Sequence, residues 1–356
     1  VPIDQSRLEE TIRLICQPGR GILAADESLK TIEKRFKSIN LESTTENRRN
    51  YRDMLFSTKG LEEFISGTIL FDESVDQLDD TGKTFTELLA SKGITPIIKV
   101  DAGLVDHPNF LPQQMARGLD GLEKRLDAYT ERGKGKIRAA KWRQVILVEQ
   151  GNPPQEFIES TMDTMAQYAA ICQSKGYVPI LEPEILIEGT HSIDQCAAVS
   201  ERTLKALYLF LERHRVSIPN TLLKTSMVLS GKGSGIIDSP EVVADATLAV
   251  FKKSVPSEVP GIVFLSGGQT PVQATENLNA IAKRAKGVPW YISFSYARAL
   301  QDPALKLWKG EPTYVPSAQE ALFLRAKMCS HAQQGTYDPS QDPASKMTTV
   351  PATIAA

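Results

Sequence analysis

The chain has little that would suit a metal centre, a disulfide scaffold, a membrane span or a nucleic-acid surface. Its four cysteines, Cys16, Cys172, Cys196 and Cys329, are scattered, with no CxxC pair. That spacing suits free thiols in a reducing compartment and builds neither a disulfide framework nor a zinc ribbon. The four histidines, His107, His191, His214 and His331, form no HxH or HExxH pair and invite no metal assignment. No run reaches the length of a transmembrane helix, and the start lacks the apolar core of a signal peptide. Charge is nearly balanced, with 43 acidic against 41 basic residues. No global positive field is therefore available to hold nucleic acid or an anionic membrane, and any basic residue that matters must act locally. A glycine-rich dinucleotide fingerprint, an internal repeat and a Pro/Gly/Ser-rich linker are all absent as well.

What is present is enough apolar material for a large core. Hydrophobic residues make up 41% and charged residues 24% of the 356 positions, the balance of a soluble globular protein. That length allows two domains, but α/β barrels commonly exceed 200 residues as one. Strand-like runs occur at 21–26, 65–71, 94–100, 139–145, 178–184, 221–228, 261–266 and 290–296. Helical patterns lie between them, among them 113–132, 154–175, 192–214, 239–254 and 273–285, with a last helix at 317–334. Strand followed by helix, eight times over, predicts a closed (β/α)8 TIM barrel spanning 1–335 as a single domain. The alternative, an open doubly wound sheet, lacks its glycine signature. Residues 336–356 are rich in Pro, Ser, Thr, Ala and Gln and read as an extended, mobile C-terminal tail.

One strand stands out. Thr-Leu-Leu-Lys-Thr-Ser-Met-Val (221–228) is apolar except for Lys224 and short polar side chains, and is bounded by Pro219-Asn220 and by the glycine-rich 231–235. A lysine inside a buried strand loses hydration, which is expected to lower its pKa and free the amine to attack a ketone. Taken alone, such a lysine more often has its head in solvent or paired with a carboxylate. The other strands change the weighting. Asp26 ends the first; Lys99 and Asp101 straddle the end of the third; Lys141 and Arg143 lie in the fourth and Glu182 and Glu184 in the fifth. A spacing of two places each pair on one face of its strand. Ser266-Gly267-Gly268 closes the seventh strand, and Ser295 and Arg298 lie at the end of the eighth. In a barrel these ends converge on one mouth, the C-terminal face where active sites form.

The expected chemistry follows. Lys141 near Lys224 adds charge repulsion to desolvation, while Glu182 and Glu184 offset the charge and move protons as a carbinolamine becomes an iminium. Asp26 is placed to take a proton from a substrate hydroxyl. The iminium then accepts the electrons of a breaking carbon–carbon bond, and no metal or other cofactor is called for. A glycine turn leading into a helix favours an anion, and Arg298 lies beside it, so phosphate is the second expected partner. Lys34, Arg35 and Lys37 read either as a second phosphate cluster or as a solvated helix face.

The motifs Gly-Ile-Leu-Ala-Ala-Asp-Glu-Ser (21–28), Ala-Lys-Trp-Arg (140–143), Pro-Ile-Leu-Glu-Pro-Glu-Ile-Leu (179–186) and Leu-Leu-Lys (222–224) closely resemble class I fructose-bisphosphate aldolase. So do Phe-Leu-Ser-Gly-Gly-Gln (264–269) and Phe-Ser-Tyr-Ala-Arg-Ala-Leu-Gln (294–301), over a resemblance running from about residue 5 to 337. The resemblance implies a homotetrameric barrel enzyme of glycolysis and gluconeogenesis. Its reaction would be the reversible cleavage of fructose 1,6-bisphosphate to dihydroxyacetone phosphate and glyceraldehyde 3-phosphate. It implies Lys224 as Schiff-base lysine, Glu182 as general acid–base, and Asp26, Lys99, Lys141 and Glu184 as supporting catalytic positions. Ser266, Gly267, Gly268, Ser295 and Arg298 would form one phosphate subsite, with Arg35 and Arg143 as further substrate-binding residues. The expected compartment is the cytosol; a plastid enzyme stripped of its transit peptide would read the same. Two features depart from the animal pattern. No terminal tyrosine is present, the last tyrosine being Tyr337, and Ala297 replaces a glycine, which is expected to alter the backbone beside the phosphate. Another lysine-dependent barrel lyase, or a retired barrel serving as a scaffold, is the competing reading. Neither explains two phosphate subsites and a complete set of site residues.

Overall fold

A computed structural model describes residues 4–148, 153–342 and 344. Eight strands close into a barrel: β1 (Gly21–Ala25), β2 (Ile65–Leu70), β3 (Thr95–Lys99), β6 (Ala139–Ile146), β7 (Val178–Ile185), β8 (Leu222–Thr225), β9 (Gly261–Phe264) and β10 (Tyr291–Tyr296). Every neighbouring pair is parallel, and β1 closes the ring against β10. The expected (β/α)8 barrel is therefore present. The remaining strands, β4 (Leu104–Asp106) and β5 (Gln114–Ala116), form a separate antiparallel pair.

The helices that enclose the barrel are α2 (Leu29–Lys37), α3 (Thr45–Phe56), α4 (Phe85–Ser91), α5 (Leu122–Arg132), α6 (Gln155–Ser174), α7 (Ile193–Arg213), α8 (Pro240–Ser254), α9 (Pro271–Arg284), α10 (Arg298–Trp308) and α11 (Val315–Gln333). The helix expected over 113–132 begins only at Leu122. Gly118 and Gly121 sit at φ +123° and +67°, conformations that break a helix, and residues 114–116 pair as β5 instead. The sixth barrel strand is also shorter than expected, ending at Thr225 rather than 228.

Strand alternation divides the barrel interior into two levels. Ile22, Ala24, Ile97, Ala139, Ile180 and Leu222 belong to one buried apolar cluster that also holds Leu8, Ile12 and Ile15 of α1 (Gln5–Ile15). The spacing of those three on α1 gives one apolar stripe, and each contributes about 1.5–3 kcal/mol on burial. Two residues further along each strand the same face carries charge: Asp26 after Ala24, Lys99 after Ile97, Lys141 after Ala139, Glu182 after Ile180 and Lys224 after Leu222. The other face packs outward. Trp142 is fully buried against Tyr168 of α6, with ring centroids 5.4 Å apart. Trp142 and Arg143 thus point to opposite sides of β6.

The segment after α11 is packed where it is described. Tyr337 and Asp342 are buried, and the Tyr337 hydroxyl donates to Asp342 Oδ2 at 2.8 Å. Asp342 also pairs with the buried Arg325, whose guanidinium donates to the carbonyls of Ala299 and Pro271 at the starts of α10 and α9. At the start of the expected tail, Tyr337 and Asp342 are thus packed, because Arg325 supplies that segment with a buried ionic partner. Residues 345–356 lie outside the described residues.

Candidate active site

Lys224 enters the upper barrel from β8 with only 4% of its surface exposed. Its Nζ lies 2.9 Å from Glu182 Oε1 of β7. The other oxygen of that carboxylate lies 2.9 Å from Lys141 Nζ of β6, and Lys141 Nζ is 3.0 Å from Asp26 Oδ2 at the end of β1. Asp101 extends the chain, 3.9 Å from Lys141 Nζ and 2.5 Å from Lys99 Nζ, and Asp101 Oδ2 accepts from the backbone N–H of Arg143 at 3.2 Å. Lysines and carboxylates therefore alternate from Lys224 round to Lys99. The repulsion expected between Lys141 and Lys224 is offset, as expected, by Glu182, which stands between them, while Asp26 and Asp101 take the place expected of Glu184 beside Lys141. The burial and the carboxylate partner, set out above as competing readings of Lys224, occur together.

The electrostatics follow from burial and proximity. Burial alone would push Asp26 upward, but the ammonium groups of Lys141 and Lys224 outweigh it and hold the carboxyl below its ordinary value. Glu182 behaves likewise: burial raises it, and Lys141, Lys224 and Arg143 bring it down. For Lys141, burial works against the charged form, yet Asp26, Glu182 and Asp101 together lift its pKa well above that of a free lysine. Lys141 is thus a fixed cation whose two nearest carboxylates stay ionised.

Towards the rim, Arg143 pairs through Nε with Glu184 Oε2, so the Glu182/Glu184 pair is split between two jobs, one on the lysines and one on the arginine. On the opposite side, β9 is followed by Ser266, which is buried, and the turn Gly267-Gly268 leads to α9, capped by Thr270. Gln269 N donates to the Ser266 carbonyl at 2.9 Å, which closes the turn and leaves the N–H groups of Gly267 and Gly268 without a backbone acceptor among the described residues. Ser295 of β10 is 1% exposed and its hydroxyl has no partner among the described residues. Arg298 opens α10, is exposed, and makes no ion pair with the described residues.

These features make a mouth with a buried amine on one side and, on the other, N–H, hydroxyl and guanidinium groups without partners among the described residues; the comparisons with known proteins identify the lineage. A family description for class-I fructose-bisphosphate aldolase matches residues 7–353. The chain belongs to the class I fructose-bisphosphate aldolase family. It is 46% identical to the cytosolic fructose-bisphosphate aldolase 4 of Arabidopsis thaliana, over 90% of this chain and 81% of that one. It is 45% identical to fructose-bisphosphate aldolase 1 of Toxoplasma gondii, over 95% and 93% of the two chains. Among solved structures, a Plasmodium falciparum fructose-bisphosphate aldolase, crystallised with TRAP and a small-molecule inhibitor, superposes with a TM-score of 0.90. It is 43% identical, with 94% of this chain and 95% of that one covered. Class I aldolases are carbon–carbon lyases that work through a lysine Schiff base, which is the chemistry Lys224 invites.

Arg35 departs from the expected arrangement. Its guanidinium pairs with Glu27 and donates to Gln301 Oε1 at 2.7 Å, Tyr51 OH at 3.3 Å and Asp302 Oδ1 at 3.1 Å. These partners hold its guanidinium here, and Lys37 pairs instead with Glu33 at 2.7 Å on the exposed face. Gln301 is a residue the sequence reading missed: its amide donates to the Ala24 carbonyl, so the Arg35 cluster holds the end of β1, two residues before Asp26. Its only signal was the final residue of the 294–301 motif. Ala297 has φ −100°, which any residue adopts, so the alanine carries no left-handed strain.

Proposed function

We propose that Lys224 condenses with the ketone of fructose 1,6-bisphosphate and that Glu182, Lys141 and Asp26 handle the protons. The observation that carries this reading is the contact of Lys224 Nζ with Glu182 Oε1 at 2.9 Å inside a nearly dry mouth. Glu182 takes a proton from the Lys224 ammonium, and the free amine adds to the carbonyl carbon. The same carboxyl then protonates the carbinolamine hydroxyl, which leaves as water and gives the iminium. Asp26 accepts the proton of the C4 hydroxyl. As that oxygen becomes an aldehyde, the C3–C4 bond breaks and its electron pair enters the iminium, leaving an enamine. Glyceraldehyde 3-phosphate departs. Protonation of the enamine and hydrolysis return dihydroxyacetone phosphate and Lys224. Lys141 does not act as a nucleophile; it keeps Asp26 and Glu182 ionised and in place. Lys99 orients Asp101, and Glu184 orients Arg143 towards substrate. Ser266, Gly267, Gly268, Ser295 and Arg298 receive one phosphate. Arg35 reaches the other only by leaving Glu27.

Family membership supports a homotetramer, which sedimentation would report as four times the 39.2 kDa chain. The cytosolic Arabidopsis relative supports a cytosolic site of action. The direct test is cleavage of fructose 1,6-bisphosphate with and without EDTA. Equal rates are expected. Activity lost to the chelator and restored by zinc would contradict the Schiff-base reading.

A further inference from the structure

The loop after β8 carries a cation that the mechanism above does not use. A methyl group placed on Gly268 would stand 3.2 Å from Lys232 Nζ and 3.7 Å from Arg298 Nη2, so the two cations lie within about 7 Å of each other over the same glycine. Neither makes an ion pair with a carboxylate among the described residues. Like charges that converge without a counter-ion mark a place for an anion. The same turn carries the N–H groups of Gly267 and Gly268, which have no acceptor among the described residues, at φ +49° and +82°. Lys232 approaches from the β8 side and Arg298 from α10, so they flank the turn.

The position of Lys232 is built rather than incidental. Its backbone N–H donates to the Ile187 carbonyl at 2.8 Å, and the N–H groups of Gly231 and Gly233 donate to His191 and Gly189 at 2.8 Å each. Three consecutive backbone bonds thus fasten the lysine's loop to the loop after β7. A Cβ on Gly231 would collide with the Gly189 carbonyl oxygen and one on Gly233 would approach it to 2.9 Å, so both flanking glycines are needed for this seam.

We propose that Lys232 is a substrate-binding residue: its ammonium closes over the phosphate seated on the Gly267-Gly268 turn, opposite Arg298. This rests on the proposed bisphosphate substrate, and the test separates the two. In Lys232→Gln, KM for fructose 1,6-bisphosphate should rise about tenfold, the loss of one charge-assisted contact, while kcat falls much less. Competitive inhibition by inorganic phosphate should weaken by a similar factor, and the gap from wild type should narrow as salt is raised. Lys232→Arg should recover most of the loss. Lys252→Gln, an exposed lysine on α8, should change none of these values. Unchanged KM and unchanged phosphate inhibition in Lys232→Gln, or a fall in kcat alone, overturns the assignment while leaving the Lys224 chemistry intact. Failure of the wild-type chain to cleave the sugar bisphosphate would sink the wider reading instead.

Discussion

The two halves of the barrel mouth are built on opposite electrostatic plans. Inside the barrel the lysines and carboxylates alternate from Lys224 to Lys99 at distances of 2.5 to 3.9 Å, each with a partner of opposite charge. Over the turn after β9, Lys232 from the loop after β8 and Arg298 from α10 face one glycine without an ion-pair partner among the described residues. A completed network can hold its protonation states before substrate arrives and needs no reorganisation during reaction. An uncompleted one acquires its counter-charge from the substrate, so its energy appears in binding. One half should therefore govern kcat and the other KM.

Substitutions in the two halves ought to separate along those lines. The largest effect is expected for Lys224→Met, which removes the nucleophile: kcat should fall on the order of 10⁴-fold or more with the circular dichroism spectrum preserved. Residual cleavage near the wild-type rate would end the proposal. Glu182→Gln leaves the geometry but strips the proton carrier and one counter-charge from two lysines. A kcat loss of about 10²–10⁴-fold is expected, with KM little changed. Arg298→Ala should do the reverse, lowering kcat/KM about 10–100-fold chiefly through KM, since a hydrogen bond to a charged group is worth about 1.5–3 kcal/mol. If Arg298→Ala altered only kcat, the division between the halves would be wrong.

A smaller effect should appear in stability against pH. Asp26 and Glu182 have folded pKa values below their unfolded ones. Their contribution is therefore complete above the unfolded carboxylate pKa of about 4 and disappears as pH falls through the depressed folded values. Lys141 is raised, so its contribution is complete below the unfolded lysine pKa of about 10.4 and is lost only as pH climbs through the folded value. Urea midpoints should hold steady between these limits and drop below about pH 4, more steeply in wild type than in Glu182→Gln. Equal slopes for the two proteins would mean that the Glu182 pairing adds no stability.

The same contrast explains what was legible in the sequence. The charged half could be read because strand alternation is strict. Ile97 then Lys99, Ala139 then Lys141, and Ile180 then Glu182 announce a face that changes from apolar to charged within two residues. Lys232 could not be read that way, since a lysine between two glycines in a loop has no periodicity, and only the folded seam to Gly189 and His191 aims it. Arg35 looked like a free cation in part because two of its four partners, Gln301 and Asp302, come from 266 and 267 residues along the chain. Gly118 and Gly121 were visible, but the apolar pattern around them outweighed their left-handed preference in the reading of 113–132 as a helix. The packed start of the tail was hidden for a similar reason: its composition is polar, and a single buried ion pair between Arg325 and Asp342 decides its place.

The role of the Lys224 amine can be tested most directly by trapping. Borohydride added to the protein with dihydroxyacetone phosphate should reduce the Schiff base and fix the triose to one side chain, and peptide mass spectrometry reads which. The label is expected on Lys224 alone; label on Lys141 or Lys99, or none at all under conditions of active cleavage, would contradict it.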